Sequence, residues 1–341
     1  MPLPINISAS RGAAILGLSG YMTQIDIWLQ IMESREPGFC EKHGYEKPVF
    51  EYNSAMKWGH AFESAIINLA ENVSGDKIIN REKAYMHPEY NFITCHQDGE
   101  YENKKICHEG KTTSQHFFKD NFGKPGTDKV PWDYQVQCQN ETLCTGAEKV
   151  ILSVLVFPRR VEEWEEMGWK IMEASIYGNV YNLYKEKNKP EYIKPYKWAE
   201  ILNEQGYFHQ YTINANPEIH KKLILEYSHF WQEHVLTGTP PQPKTIDDIK
   251  KLFREPVGTI IATDEIERYY SEEKQINDEL RDLNNRKEQL KLLQLNFLQE
   301  NSKIKNFVVD DESQEKIVLR DIAGKKMHSY YKDKNGNLVF R

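Results

Sequence analysis

The chain has 341 residues, 39% hydrophobic and 12% aromatic, which suffices for two ordinary domains or one domain with large additions and excludes wholesale disorder. Lysine and arginine (44) are outnumbered by aspartate and glutamate (51). The resulting net charge of −7 argues against a general nucleic-acid coat protein, but not against an enzyme whose cleft carries local positive charge. The five cysteines are an odd number with no CxxC pair, so they read as free thiols of a reducing compartment, without zinc or iron–sulfur spacing. The N-terminal stretch has no basic region followed by a long apolar run, and no segment reaches membrane-span length, so a soluble, cytoplasmic protein is expected.

Residues 9–34 read as two short helices hinged at Gly17–Tyr21. Met56, Gly59, Phe62, Ile66, Ile67 and Ala70 recur at helical spacing and predict a helix over 52–75. Three extended runs follow, near 77–87, 92–101 and 104–112. Pro131 opens a helix that runs to Leu143 and stops at Gly146. The continuous apolar run KVILSVLVF at 149–157 suits a doubly covered central strand, and about 159–173 reads as extended. Residues 217–236 form a helix ending at the breaker TGTPPQP. Beyond it lies a long charged helix over 263–303, with Ile276, Leu280, Leu283, Leu290 and Phe297 on a near-heptad stripe that reads as a coiled-coil-like arm packing on its own domain. The last residues alternate like short strands around a hairpin turn at Lys334–Asn337. The order predicts an α/β fold, a mixed central sheet flanked by helices over 1–244, with a helical and small β C-terminal extension over 245–341.

Chemistry concentrates in FITCHQDGEYENKKICHEGKTT, residues 92–113. Asp98 ends one strand pattern, and the next carries Glu109 and Lys111 two residues apart, hence on one face. Two carboxylates directed into one cleft repel unless a divalent cation lies between them, and oxygen ligands select Mg²⁺ or Mn²⁺. A neighbouring lysine can position water and stabilise charge on a phosphate. On its own the triplet also fits a solvated hairpin with an ordinary cross-strand ion pair. The flanking residues shift the balance. Glu63, one turn after Gly59 on the apolar-faced helix, is a third carboxylate for a second metal, and Gln135 and Gln139 offer amides from the helix downstream. Lys119, Lys124 and Lys129, and the pair Arg159-Arg160, are candidate DNA-backbone contacts or equally ordinary solvated residues. His96, two before Asp98, reads as a structural histidine, and His108 as facing away from the site.

The segments SASRGAAILGLSGY, GHAFE, HQDGEY, HEGKTT and DYQVQCQ followed by TG, in this order from about Ser8 to Ala147, resemble the YqaJ-type viral recombinases. These are a phage lambda exonuclease-like family of the PD-(D/E)xK nuclease superfamily. The resemblance implies a restriction-endonuclease-like core, two Mg²⁺ ions and exonuclease digestion of linear double-stranded DNA from 5′ ends. The 3′ overhangs would pass to a single-strand annealing protein in phage-type recombination. It also implies metal ligation by Asp98, Glu109, the Gly110 backbone carbonyl and Glu63, with Lys111 catalytic and Gln135 as the motif-helix glutamine. Ser10, and Arg11 beside it, become candidate contacts for the terminal phosphate. Gly110 departs from the pattern, since a bulky apolar residue is usual there, and the family's upstream arginine has no counterpart. The compact phage enzyme is a ring-shaped trimer, and this chain runs nearly 100 residues past the breaker near 240. A restriction-type or structure-selective endonuclease, a catalytically silent DNA-binding scaffold and a hydrolase of another phosphodiester are the alternatives.

Overall fold

The computed structural model describes residues 5–49, 51–173, 181–185, 191–253, 258–301, 316–320, 322–332 and 338–340. The chain divides into two units, Met1–Pro256 and Val257–Arg341.

In the first unit a short strand β1 (Ile7–Ser8) runs into a 3₁₀ turn (Ala9–Arg11) and helix α1 (Gly12–Ile15). Gly12 is required there, because a Cβ would lie 1.9 Å from the Tyr227 hydroxyl. Helix α2 (Gln24–Arg35) starts at a capping box in which Thr23 accepts from the Asp26 amide and Asp26 accepts from the Thr23 amide. After α3 (Phe39–His43), Asn53 caps α4 (Ser54–Ser74), the helix expected over 52–75. Trp58, Phe62, Ala65, Ile66 and Leu69 form its buried stripe.

The three extended runs resolve into five strands: β2 (Ile78–Ile79), β3 (Lys83–Met86), β4 (Ile93–Gln97), β5 (Gly99–Tyr101) and β6 (Ile106–Ser114). They do not share one sheet. β4 lies between β1 and β3 in a small sheet, whereas β5 and β6 belong to the central one. Helix α5 (Gln115–Asn121) carries Lys119, and α6 (Trp132–Thr145) follows Pro131 and stops at the left-handed Gly146. The apolar run is strand β7 (Lys149–Phe157), parallel to β6.

Residues 161–166 are helical, not extended as expected: Glu162 and Glu163 lie in the first turn of α7 (Val161–Glu166), where the helix dipole favours acids, and Gly168 ends the turn region. Strands β8 (Trp169–Glu173), β9 (Tyr181–Lys185) and β10 (Glu191–Ile193) form an antiparallel sheet, and α8 (Pro195–Glu204) follows. Strand β11 (Phe208–Asn214) completes the five-stranded central sheet, ordered β11-β7-β6-β5-β2. With β6–β7 parallel and the other pairs antiparallel, the central sheet is mixed, as expected.

Alternation along β7 divides the two layers. Leu155 and Phe157 pack with the α4 and α8 stripes, whereas Val150, Leu152, Val154 and Val156 pack with Cys138 of α6. Helix α9 (Pro217–Phe230) continues as a π turn through Val235. Past the breaker, α10 (Ile246–Leu252) returns to α2: buried Asp248 accepts from Thr23 Oγ1 (2.6 Å), and Lys251 pairs with Asp26 (2.7 Å). In the second unit, α11 (Asp264–Asn301) precedes an antiparallel sheet of β12 (Lys316–Arg320), β13 (Lys326–Lys332) and β14 (Leu338–Phe340). The turn expected at 334–337 lies outside the described residues.

Candidate active site

Strand register sets the geometry. In the parallel β6–β7 pair Glu109 stands beside Leu152 and Lys111 beside Val154, so both project toward α6. His108, Gly110 and Thr112 point to the α4 side. His108 bonds Ser153 Oγ through Nε2 (3.0 Å), and burial pushes its pKa down to about 3, leaving it a neutral structural group.

Asp98 stands at the single residue between β4 and β5, where the chain crosses from the small sheet to the central one. Its Oδ2 accepts from the Gly110 amide at 2.7 Å. The flanking residues are tied down: Gln97 Nε2 donates to Glu100 Oε1 at 2.6 Å, and Glu100 also accepts from Tyr85 and Asn80. That network fixes the crossing and hence the direction of the Asp98 carboxylate. Gly110 now has a physical account. A Cβ there would lie 3.0 Å from Ile66 Cγ2 and 3.4 Å from Asp98 Oδ2, so α4 and Asp98 occupy the space a larger side chain would need.

Glu109 is buried, and Oε1 accepts from Lys111 Nζ (2.5 Å) and from Gln137 Nε2 (2.6 Å). Its Oε2 is buried without a hydrogen-bond partner among the described residues. Burial lowers the Lys111 pKa, but Glu109 and Asp98 outweigh it and hold the group as an ammonium. The Lys111 ammonium also lies 5.6 Å from the Tyr134 ring centroid. Desolvation raises the Asp98 pKa well above the usual range; Glu109 and Glu63 add to this, while Lys111 and the Gly110 amide oppose it. Burial likewise raises Glu63 on α4; His60 and Lys111 oppose, and Glu82 and Glu109 reinforce. The four groups thus lie within electrostatic reach of one another.

The helix glutamine that reaches Glu109 is Gln137, whereas Gln135, expected as the motif-helix glutamine, makes no bond to it. At about 100° per residue, Tyr134, Gln137, Cys138 and Glu141 share the sheet-facing side of α6. Gln135 and Gln139 fall outside that row: Gln135 Oε1 finds no hydrogen-bond partner among the described residues, and Gln139 bonds the Asn214 carbonyl and Asn216 amide. Glu141 was not anticipated. It is fully buried, accepts from Gln137 at 3.2 Å and is held well above the ordinary carboxylate range by desolvation, with Glu109 adding. A glutamate in the core-facing row of a helix is the sequence signal that points to it.

A cavity of about 1080 Å³ adjoins this cluster, lined by Thr112, Thr113 and Ser114 beyond Lys111, by Tyr134, and by Arg11, Arg159 and Arg160. Arg11 donates to Ser8 Oγ (2.8 Å) and Gln30 Oε1 (3.3 Å) and has no carboxylate partner among the described residues. Ser10 is exposed, its hydroxyl 3.3 Å from that of Ser8. Lys119, Lys124, Lys129 and His96 are also exposed.

Among the described residues, no three His, Cys, Asp or Glu side chains converge into a cage that would hold a metal by themselves. The donors present are of a different kind. A buried carboxylate, Glu109, and a half-buried one, Asp98, face a shared cation, and Glu109 has an oxygen left without a hydrogen bond among the described residues. This suits an open oxygen site for a hard divalent ion completed by main chain, water or substrate.

An α/β domain with carboxylates and a lysine converging from adjacent strands is the class this geometry defines. Residues 5–148 match the model of the YqaJ-like viral recombinase domain. The uncharacterized protein YqaJ of Bacillus subtilis (strain 168) is 31% identical over 178 residues, covering 50% of this chain and 51% of that protein. The chain thus spans about half the length of this curated relative. Looser similarity extends to the alkaline exonuclease LHK-Exo of Laribacter hongkongensis, with 14% identity, TM-score 0.45, and 69% of this chain and 90% of that one covered. A phage-related exonuclease from Haemophilus somnus 129PT shows 13% identity and TM-score 0.39, with 69% and 97% covered.

Proposed function

We propose that this chain is a divalent-metal-dependent exonuclease that digests linear double-stranded DNA from its ends, 5′ to 3′, and leaves 3′ overhangs for a single-strand annealing protein. The observation that carries the reading is the cluster of buried Glu109 with half-buried Asp98 and Lys111, beside a cavity whose arginines include one with no acidic partner among the described residues. The match of residues 5–148 to the YqaJ-like viral recombinase domain supports it.

Asp98, Glu109 and the Gly110 carbonyl hold one ion in this reading, and Glu63 contributes to a second. Bound Mg²⁺ or Mn²⁺ supplies Lewis-acid polarisation of the scissile phosphate and its attacking water. Lys111, held as an ammonium, neutralises charge on the phosphate and orients water. Gln137 fixes the Glu109 carboxylate without adding charge, and Arg11, which lines the adjoining cavity, receives the terminal phosphate together with the exposed Ser10.

The test is incubation with Mg²⁺ and linear duplex carrying a label at either the 5′ or the 3′ end. Early release of the 5′ label, loss of digestion in EDTA and sparing of a closed circle are expected. Lys111→Ala should retain DNA binding and lose about 10²–10³-fold in rate. Cleavage of the circle would instead make the protein an endonuclease, and an undiminished Lys111→Ala rate would overturn the site.

A further inference from the structure

Helix α11 carries an apolar stripe with no cover among the described residues. Ile266, Tyr269, Ile276, Leu280, Leu283 and Leu290 fall on a and d positions of one unbroken heptad frame, exposed by 43% (Leu290) to 66% (Leu283). A helix of this length spans about 57 Å, long enough for a stable two-stranded coil once the stripe is buried. We infer that the stripe is an interface for a second copy of this chain, with the two α11 helices antiparallel.

Charge selects the occupant and its direction. Glu273 and Lys287 occupy two further a positions. A parallel pair would set Glu273 against Glu273 and Lys287 against Lys287 in the seam. An antiparallel pair that opposes Leu280 to Leu283 of the second copy brings Glu273 within one layer of Lys287. It also places Glu279 beside Arg286 on the flank, twice by symmetry. Among the described residues of one chain, the hydrogen bonds of these two flanking charges go to neutral partners: Glu279 accepts from Gln275 (2.9 Å) and Arg286 donates to Gln289 (3.3 Å). The inference rests on α11 alone and stands independently of the nuclease reading.

Sedimentation and light scattering of the full chain at micromolar concentration test it. The wild type should show an even number of chains, and Leu280→Glu/Leu283→Glu should halve that number. Circular dichroism should report unchanged helix content, since glutamate is as good a helix former as leucine. Should that variant unfold, Leu280→Gln/Leu283→Gln serves the same comparison. Glu279→Arg should weaken association at least about tenfold, and adding Arg286→Glu should restore it. A monomeric wild type, or equal mass for the wild type and a folded leucine variant, overturns the interface. Failure of the double charge reversal to restore association overturns the antiparallel pairing.

Discussion

At the scale of single residues, Gly110 separates two demands on one strand position. The backbone must present its amide to Asp98, while the space above the Cα belongs to Ile66. Gly110→Val should therefore destabilise the protein by about 1–3 kcal/mol and depress activity further than stability alone explains, because the displaced neighbours include Asp98. Denaturant melts and rates on the same samples check this; a Gly110→Val protein with wild-type rate would detach the residue from the site. Glu141 supplies a pH signature. Its folded-state pKa lies above its unfolded value, so ionisation opposes folding, and this part of the stability falls as pH rises through the folded pKa. Glu141→Gln keeps an acceptor for Gln137 and removes the ionisation. In EDTA its melting temperature should exceed that of the wild type near pH 8, with the gap closing toward pH 5. A gap independent of pH would show that Glu141 does not titrate with folding.

At the scale of elements, α10 shows how much rests on one buried cap. Asp248 accepts from Thr23 Oγ1 and from the amides of Lys244 and Thr245 (3.0 and 3.1 Å), joining the start of α10 to the start of α2. Asp248→Ala should cost about 2–3 kcal/mol, the loss of a cap together with a buried hydrogen bond from a hydroxyl left without its acceptor. A midpoint shift in urea at constant slope is the expected result, and a loss below half of that would make the tether dispensable. The convergence of Asp98 with the Glu109–Lys111 strand was legible in the sequence, since strand alternation puts Glu109 and Lys111 on one face and the short interval after Asp98 permits a return. The phase of α6 was not. Gln135, Gln137 and Gln139 alternate within a few residues, and only packing against β6 selects Gln137. Nor was the crossing at Asp98 legible, because β4 and β5 are separated by one residue and nothing in that interval marks a change of sheet. The helix at 161–166 was missed because its signal is a single turn of acids rather than an apolar period.

At the scale of the whole molecule, net charge says little about the cavity. Helix α11 carries ten acidic and six basic residues, so −4 of the chain's −7 resides there, and the remainder is close to neutral. The cavity beside Lys111 is lined by Arg11, Arg159 and Arg160 together with Asp26, Glu33 and Glu162, a mixed surface on which each arginine matters separately. Arg159 and Arg160 share Glu163 at 3.5 and 3.7 Å, exposed contacts too weak to withhold either guanidinium from a phosphate. If both bind the DNA backbone, each neutralised phosphate releases counterions, and the logarithm of affinity falls linearly with the logarithm of salt concentration. Binding of linear duplex by Lys111→Ala, titrated between about 50 and 200 mM salt, gives the reference slope. Adding Arg159→Ala and Arg160→Ala should weaken binding across unrelated sequences and make that slope shallower by about 2, one per lost phosphate contact. Weaker binding at an unchanged slope would mean that the pair supports the cavity wall without touching phosphate, and would return the path of DNA to the exposed lysines of 119–129.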